Sequence, residues 1–338
     1  MSMLFEQIQK TRPPKVSEVT GSATGKALAG IDQLLVVLPT RVPAAAWNRL
    51  PQGKKVQALM RRRTPGSVPA VKTRLNNKRQ TAVYVGNVDG SAEAFETLTF
   101  ARKMVSAVSG EKAGVVGILV VGFDDERREA LTAQLVSAAL AAAYVMPAFK
   151  SKSAPARIRS VRVLGLGRRI GFERELAEAE GNNVTRFLTA LPANKLDANA
   201  YTTLLKEMAD AEGWQYKKYG VKELEKMGAG AFLAVAQGNA DDSAAIVRLR
   251  YRPGAKNTAP DLSLVGKGII FDTGGTNLKP FTSMLDMHID MGGSAVVAGT
   301  LLALTRLKHD APIDAWFAIT ENRTGPTAVS YTHLTLPT

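Results

Sequence analysis

Short apolar runs alternate with longer amphipathic stretches through the first half of the chain. Residues 33–38, 82–86 and 114–122 are rich in Val, Ile and Leu and have strand length. Residues 91–108 and 124–145 have helical spacing and length. Apolar strands alternating with amphipathic helices predict an α/β layer. Residues 160–166 add a further strand, and the basic, proline-containing stretch 151–159 reads as a surface connection. The most membrane-like stretch, 131–149, is alanine-rich and contains Gln134, Ser137 and Pro147, so it reads as a buried helix rather than a membrane span.

A second unit begins near Gly171. Residues 172–189 form a helical candidate with Glu173, Glu175, Glu178 and Glu180 early in it, where negative charge suits the helix dipole. Asp197 caps a helix running to about residue 211, before Gly213. Residues 231–237, 244–250, 262–271 and 313–320 read as strands, and 294–307 as a helix. The expected division is an N-terminal α/β domain over 1–170 and a second α/β domain over 171–328. Two domains suit 338 residues at ~150 residues each.

Composition narrows the chemistry. With 45% hydrophobic residues the chain has the apolar mass for a real core. It has no cysteine, which excludes disulfides, thiolate zinc sites and cysteine nucleophiles. Its three histidines (His288, His309, His333) give little support to a histidine-rich metal site. No apolar run follows a basic start, so no secretory signal is visible, and the expected location is cytoplasmic with no membrane partner. The net charge of +14 is uneven: residues 1–170 hold 27 basic against 11 acidic side chains, and 171–338 hold 17 against 19. Residues 51–80 carry nine basic side chains and no acidic one, including Arg61, Arg62 and Arg63. Such a window attracts phosphate backbones, so a nucleic-acid-binding regulator using the basic N-terminal half is the alternative reading. The plainer one is a solvated surface loop. GLGRRIG (165–171) misses the dinucleotide fingerprint by one residue.

The segment 264–280 carries the chemistry. Gly266 and Gly268 flank Lys267 within an apolar strand and mark a close backbone approach or a bulge. Lys267 would place an amine among Val265, Ile269 and Ile270, where an ammonium needs pairing, neutralisation or a metal. Asp272 ends the apolar run, at the carboxyl end of a strand, where ligands gather in α/β sheets. Gly274-Gly275 makes a sharp turn and Lys279 follows. Asp286 and Asp290 are four apart and share a face if that piece is helical. Carboxylates without cysteine favour a hard or borderline divalent cation. Taken singly, Lys267 reads as a salt-bridged lysine, Asp272 as a turn former, Asp290 as a helix cap and His288 as structural. Periodicity alone stops at an α/β enzyme-like domain with a candidate carboxylate metal site.

VGKGIIFDTGGTNLKP (265–280), MHIDMGGS (287–294) and ITEN (319–322) together resemble the leucyl (cytosol) aminopeptidase family. LPAN (191–194) resembles that family's entry into its peptidase domain, and the likeness covers about 190–325. The resemblance implies a smaller N-terminal α/β domain, a C-terminal α/β/α peptidase domain and a homo-hexamer. The implied activity is release of N-terminal residues from peptides with a free amine, at a centre of two divalent ions. Mn²⁺ or Zn²⁺ is expected there, with Mg²⁺ or Co²⁺ as alternatives, and bicarbonate as proton shuttle. By position, Lys267 corresponds to a lysine metal ligand, Asp272 to the bridging aspartate, Asp290 to a further ligand and Lys279 to the catalytic lysine. A lysine ligand requires a neutral amine, which a nearby dication favours. Glu321 and Asn322 fall on the family's adjacent strand and receive no ligand role. Nothing in the chain resembles the family motif Asn-Thr-Asp-Ala-Glu-Gly-Arg, which supplies two more ligands and the bicarbonate-holding arginine. VSYTHLTLPT (329–338) resembles a translated sequencing adapter. The resulting expectation is a C-terminally truncated, incomplete peptidase domain with a non-native tail, inactive or nearly so by itself.

Overall fold

The computed structural model describes residues 2–23, 25–64, 66–109, 114–147, 158–239, 242–255, 259–325 and 328. The adapter-like tail, His333 and most of the 151–159 connection lie outside the described residues. In chain order the elements begin with α1 (Met3–Gln9), β1 (Lys15–Thr20), β2 (Gln33–Pro39), α2 (Ala44–Asn48), α3 (Gly53–Arg61), β3 (Val71–Arg74) and β4 (Ala82–Val88). Next come α4 (Ala94–Ser109), β5 (Val115–Val120), α5 (Asp125–Ala143), β6 (Ser160–Leu166), α6 (Glu173–Ala190) and α7 (Ala198–Glu212). The remainder are β7 (Gln215–Gly220), α8 (Val221–Lys226), α9 (Gly230–Ala236), β8 (Ala245–Tyr251), β9 (Leu262–Asp272), α10 (Phe281–Met284), α11 (Gly292–Arg306) and β10 (Ile313–Asn322). The chain divides into two compact units, one of Pro13–Ala179 and one of Met1–Arg12 with Glu180–Thr338.

The Pro13–Ala179 unit is built on a six-stranded sheet of order β1-β6-β5-β2-β4-β3. Only β3 runs antiparallel to its neighbour. Both faces of a parallel sheet must be covered, and every residue of central β2 is buried. One face carries Phe100 and Met104 of α4 with Leu131 and Leu135 of α5. Val56 and Met60 of α3 cover the other. The Asp124 carboxylate accepts from the Arg127 amide at 2.8 Å and starts α5. The basic window 51–80 is a solvated loop only in part. It contains α3 and β3, and Val56, Met60, Val71 and Leu75 bury its apolar side, leaving Arg61, Arg62 and Arg63 exposed.

The second unit holds a four-stranded sheet of order β7-β8-β10-β9. Strands β7, β8 and β10 are antiparallel neighbours, and among the described residues β9 pairs only with β10, in parallel. The first twelve residues join this unit, and not the domain over 1–170 that the sequence grouped them with. Phe5 and Ile8 of α1 are buried, and the Asn183 amide donates to the Thr11 carbonyl at 2.7 Å. The stretch Phe281–Arg306 is long and apolar enough to cross a membrane by composition. Ala295, Ala298, Leu301 and Leu302 of α11 are nevertheless buried in this core. The strand expected over 231–237 is instead the helix α9. A seven-residue apolar run has no decisive period, and three alanines favour the helix.

Asp314, the second residue of β10, has 4% of its side chain exposed and lies 2.5 Å from the Arg252 guanidinium and 3.1 Å from that of Arg250. Arg252 also donates to the carbonyls of Tyr251 and Ile313, both at 3.0 Å. The charges thus tie the end of β8 to the start of β10.

Backbone-to-backbone contact sets the position of α11. A Cβ on Gly299 would stand 2.3 Å from the Gly181 carbonyl oxygen, and one on Gly266 would stand 2.5 Å from the Ser294 Cα. No real side chain tolerates either separation. Gly299→Ala should therefore destabilise the fold by about 1–3 kcal/mol or more, read as a drop in the urea midpoint at unchanged slope.

Candidate metal centre

The site forms where β9 ends. Along β9, Gly266, Gly268 and Ile270 are buried, while Ser263, Val265 and Lys267 face outward. The sequence placed the Lys267 amine in apolar surroundings, and the structure does not. Because β9 is an edge strand, Val265 is 76% exposed and the Lys267 side chain 58% exposed. Its Nζ stands 2.9 Å from Asp290 Oδ2. The pair has ion-pair distance without hydrogen-bond alignment, so this buried carboxylate oxygen has no hydrogen-bond partner among the described residues.

Asp272 is the centre of a tighter cluster. Its Oδ1 accepts from the Gly274 amide at 3.0 Å and from Asn322 Nδ2 at 2.6 Å, while its Oδ2 pairs with Lys279 Nζ. Lys279 reaches back because the chain reverses at Gly274 and Gly275, whose φ angles are 89° and 63°. A Cβ at Gly274 would stand 2.3 Å from the Asn277 carbonyl, so only glycine fits there. The Lys279 amide closes the turn on the Thr273 carbonyl at 2.8 Å. Burial alone would raise the Asp272 pKa. Hydrogen bonds from Lys279, Asn322 and Gly274 outweigh it and hold the carboxyl below its ordinary range.

The segment after the turn is not one helix. Helix α10 ends at Met284, a 3-10 turn follows over Met287–Ile289, and α11 starts at Gly292. Asp286 and Asp290 therefore share no helical face, and Asp286 is exposed. Asp290 does not cap α11 either, because the residue at the cap is Met291. Met287 Sδ lies 3.0 Å from Lys279 Nζ, and the Asp290 amide donates to the Met287 carbonyl at 3.3 Å. The short turn thereby links the Lys279–Asp272 pair to the segment that carries Asp290. His288 lies in this turn, half-buried.

Among the described residues no three His, Cys, Asp or Glu side chains converge as a metal cage. The donors at hand are two half-sunk carboxylates, Asp272 and Asp290, each facing a lysine amine. Oxygen donors with an amine fit a hard or borderline dication. The unused Asp290 oxygen is a further acceptor, so the residues present fit such an ion. Asn322 is the member of this cluster that sequence reasoning left without a role. Its position opposite Asp272 follows from strand register, for which the residue string carries no signal.

Residues 183–334 match the catalytic domain of the cytosol aminopeptidase family. The likeness to that family is thus carried by this segment. A probable cytosol aminopeptidase of Polaromonas sp. is 32% identical over 314 residues, covering 88% of this chain and 59% of the relative. One of Acidovorax sp. is 40% identical over 169 residues, covering 49% and 34%. The chain thus spans about three-fifths of the first relative and a third of the second. Among solved structures, the leucyl aminopeptidase of Leishmania major in complex with actinonin aligns at a TM-score of 0.73 and 22% identity, covering 97% of this chain and 67% of that one. That likeness speaks for the fold. The bottromycin maturation enzyme BotP, in complex with Mn, aligns at 0.63 and 26% identity over 87% of this chain and 60% of that one. The mixed α/β fold of that leucyl aminopeptidase structure accounts for nearly the whole chain.

Proposed function

We propose that the protein is a cytoplasmic metal-dependent aminopeptidase that releases N-terminal residues from peptides. The observation that carries this reading is the pairing of Lys267 with Asp290 and of Lys279 with Asp272 at the carboxyl end of β9, inside the family-matched segment. In this reading Asp272, Asp290 and Lys267 hold a pair of divalent ions, with Mn²⁺ or Zn²⁺ as the first choices and Mg²⁺ or Co²⁺ as alternatives. When bound, the ions supply Lewis acidity and an activated water.

The protein's own groups do the rest. Lys267 must lose its proton to become a donor, and a dication beside it favours that loss. Asp290 would offer its carboxylate to the ion in place of the Lys267 ammonium. Lys279 would donate to the oxyanion that forms on the scissile carbonyl. Asp272 and Asp290 give the free α-amine of a peptide an acidic surrounding. A homo-hexamer and bicarbonate as proton shuttle complete the proposal for the whole protein. No residue of this chain is assigned to the bicarbonate. DNA binding by the basic segment is not advanced, since α3 and β3 serve the core of their unit.

The test compares Leu-p-nitroanilide with its N-acetyl derivative in the presence of Mn²⁺. The whole protein should cleave only the free amine, and Lys279→Ala should lower kcat by about 10²–10³. This chain alone should take up Mn²⁺ and turn over little, because donors for a second ion are few among its residues. Equal cleavage of both compounds, or no Mn²⁺ uptake, would overturn the reading.

A further inference from the structure

The parallel pairing of β9 and β10 is regular from Ile313 to Thr320 and then slips. Thr320 sits opposite Ile269 and Asn322 opposite Asp272, so β9 advances three residues where β10 advances two. Bulges are rare in parallel pairs and re-aim side chains near active sites. Here the extra residue leaves Ile270 and Phe271, adjacent in sequence, both buried at 1% and 6% exposure. Regular pairing would set Asn322 against Phe271, and the slip sets it against Asp272.

Asn322 uses this position fully. Its Nδ2 donates to Asp272 Oδ1 at 2.6 Å. Its main-chain carbonyl accepts from both the Thr273 amide at 3.0 Å and the Thr273 hydroxyl at 2.7 Å. One residue therefore grips the carboxylate and the backbone just beyond it. The chemistry of the grip is selective. An arginine or lysine at 322 would orient Asp272 equally well but would neutralise it and repel a dication. An aspartate there would offer no proton and would repel the Asp272 carboxylate. An amide supplies a donor with no charge, and it occupies one acceptor position of Oδ1 while Oδ2 stays open towards Lys279.

From the bulge and these three bonds we infer that Asn322 is the positioning residue for Asp272, locking the carboxylate in the orientation that receives the ion. The inference rests on the metal reading above. Outer partners that orient ligating groups typically carry ten- to a hundredfold of metal affinity.

The experiment measures Mn²⁺ uptake of the chain by electron paramagnetic resonance of the free ion, with circular dichroism as the check on folding. The parent, Asn322→Ala and Asn322→Asp are compared, each with and without Asp272→Ala. Both variants should bind Mn²⁺ about tenfold more weakly or worse. Adding Asp272→Ala to either should cause little further loss beyond Asp272→Ala alone. The aspartate variant is decisive, because it keeps the shape of Asn322 and adds an oxygen donor. If Asn322 served only as nearby polarity, Asn322→Asp would bind Mn²⁺ as well as the parent or better, and that result overturns the inference. Should Asn322→Ala fail to fold, the near-isosteric Asn322→Asp still decides it. A parent that takes up no Mn²⁺ overturns the metal reading and this inference together. A parent that binds, with variants that bind equally, overturns this inference alone.

Discussion

Asp314→Ala is expected to lower the unfolding free energy by about 3–5 kcal/mol, the range for breaking a buried ion pair by removing one partner. The carboxylate and the Arg252 guanidinium are each only 4% exposed, so the orphaned arginine has no route to water without disturbing the β8–β10 junction. The loss reflects an uncompensated buried charge, and does not measure what the pair adds over an apolar one. The double variant Asp314→Leu with Arg252→Met should therefore recover much of it. Urea unfolding of the three proteins separates the cases. A single variant within about 1 kcal/mol of the parent would mean that Arg250 or water replaces the missing partner.

Asp272→Ala is expected to reduce Mn²⁺ affinity by more than about a hundredfold, beyond the range for an outer-shell partner. It removes the acceptor shared by Gly274, Asn322 and Lys279, and leaves Lys279 as an unpaired cation beside the site. Calorimetric titration reads the loss. The metal-free protein offers a second readout with a definite sign. The Asp272 carboxyl is held below its ordinary value in the fold, so its contribution to stability is present above pH ~3.9 and vanishes as pH falls through the depressed value. Asp272→Asn should flatten that acid-side loss. Parallel acid profiles for the two proteins would remove Asp272 from the account of acid sensitivity.

The parts of the fold that could be read from residues are those with one unambiguous period. Strands β2 and β5 are apolar runs because helices cover both faces of their sheet, and Asp197 announces α7 by capping it at the Ala200 amide. The edge strands β1 and β7 hid themselves. The β1 string Lys-Val-Ser-Glu-Val-Thr and the β7 string Gln-Tyr-Lys-Lys-Tyr-Gly carry charges on the open side, which lowers their strand signal. The site divided along the same line. The Gly-Lys-Gly and Asp-Thr-Gly-Gly strings marked the right strand end, since chemistry and turn geometry both leave traces in residue type. The exposure of Lys267 depends on β9 being an edge, and the role of Asn322 depends on a one-residue slip in pairing. Both are properties of strand neighbours, and sequence order alone does not contain them.

The glycine contacts that seat α11 have a consequence for how the protein can vary. Gly299 meets the Gly181 carbonyl, Gly266 meets the Ser294 backbone, and a Cβ on Gly293 would lie 3.2 Å from the Lys267 amide nitrogen. The separation between the strand bearing Lys267 and the helix following Asp290 is thus ruled by main-chain atoms. Exchange of one aliphatic side chain for another in the surrounding interior leaves that spacing untouched. Natural drift can accordingly rewrite much of the interior while the distance between these two residues is inherited almost unchanged, provided a few hydrogen-only positions stay bare.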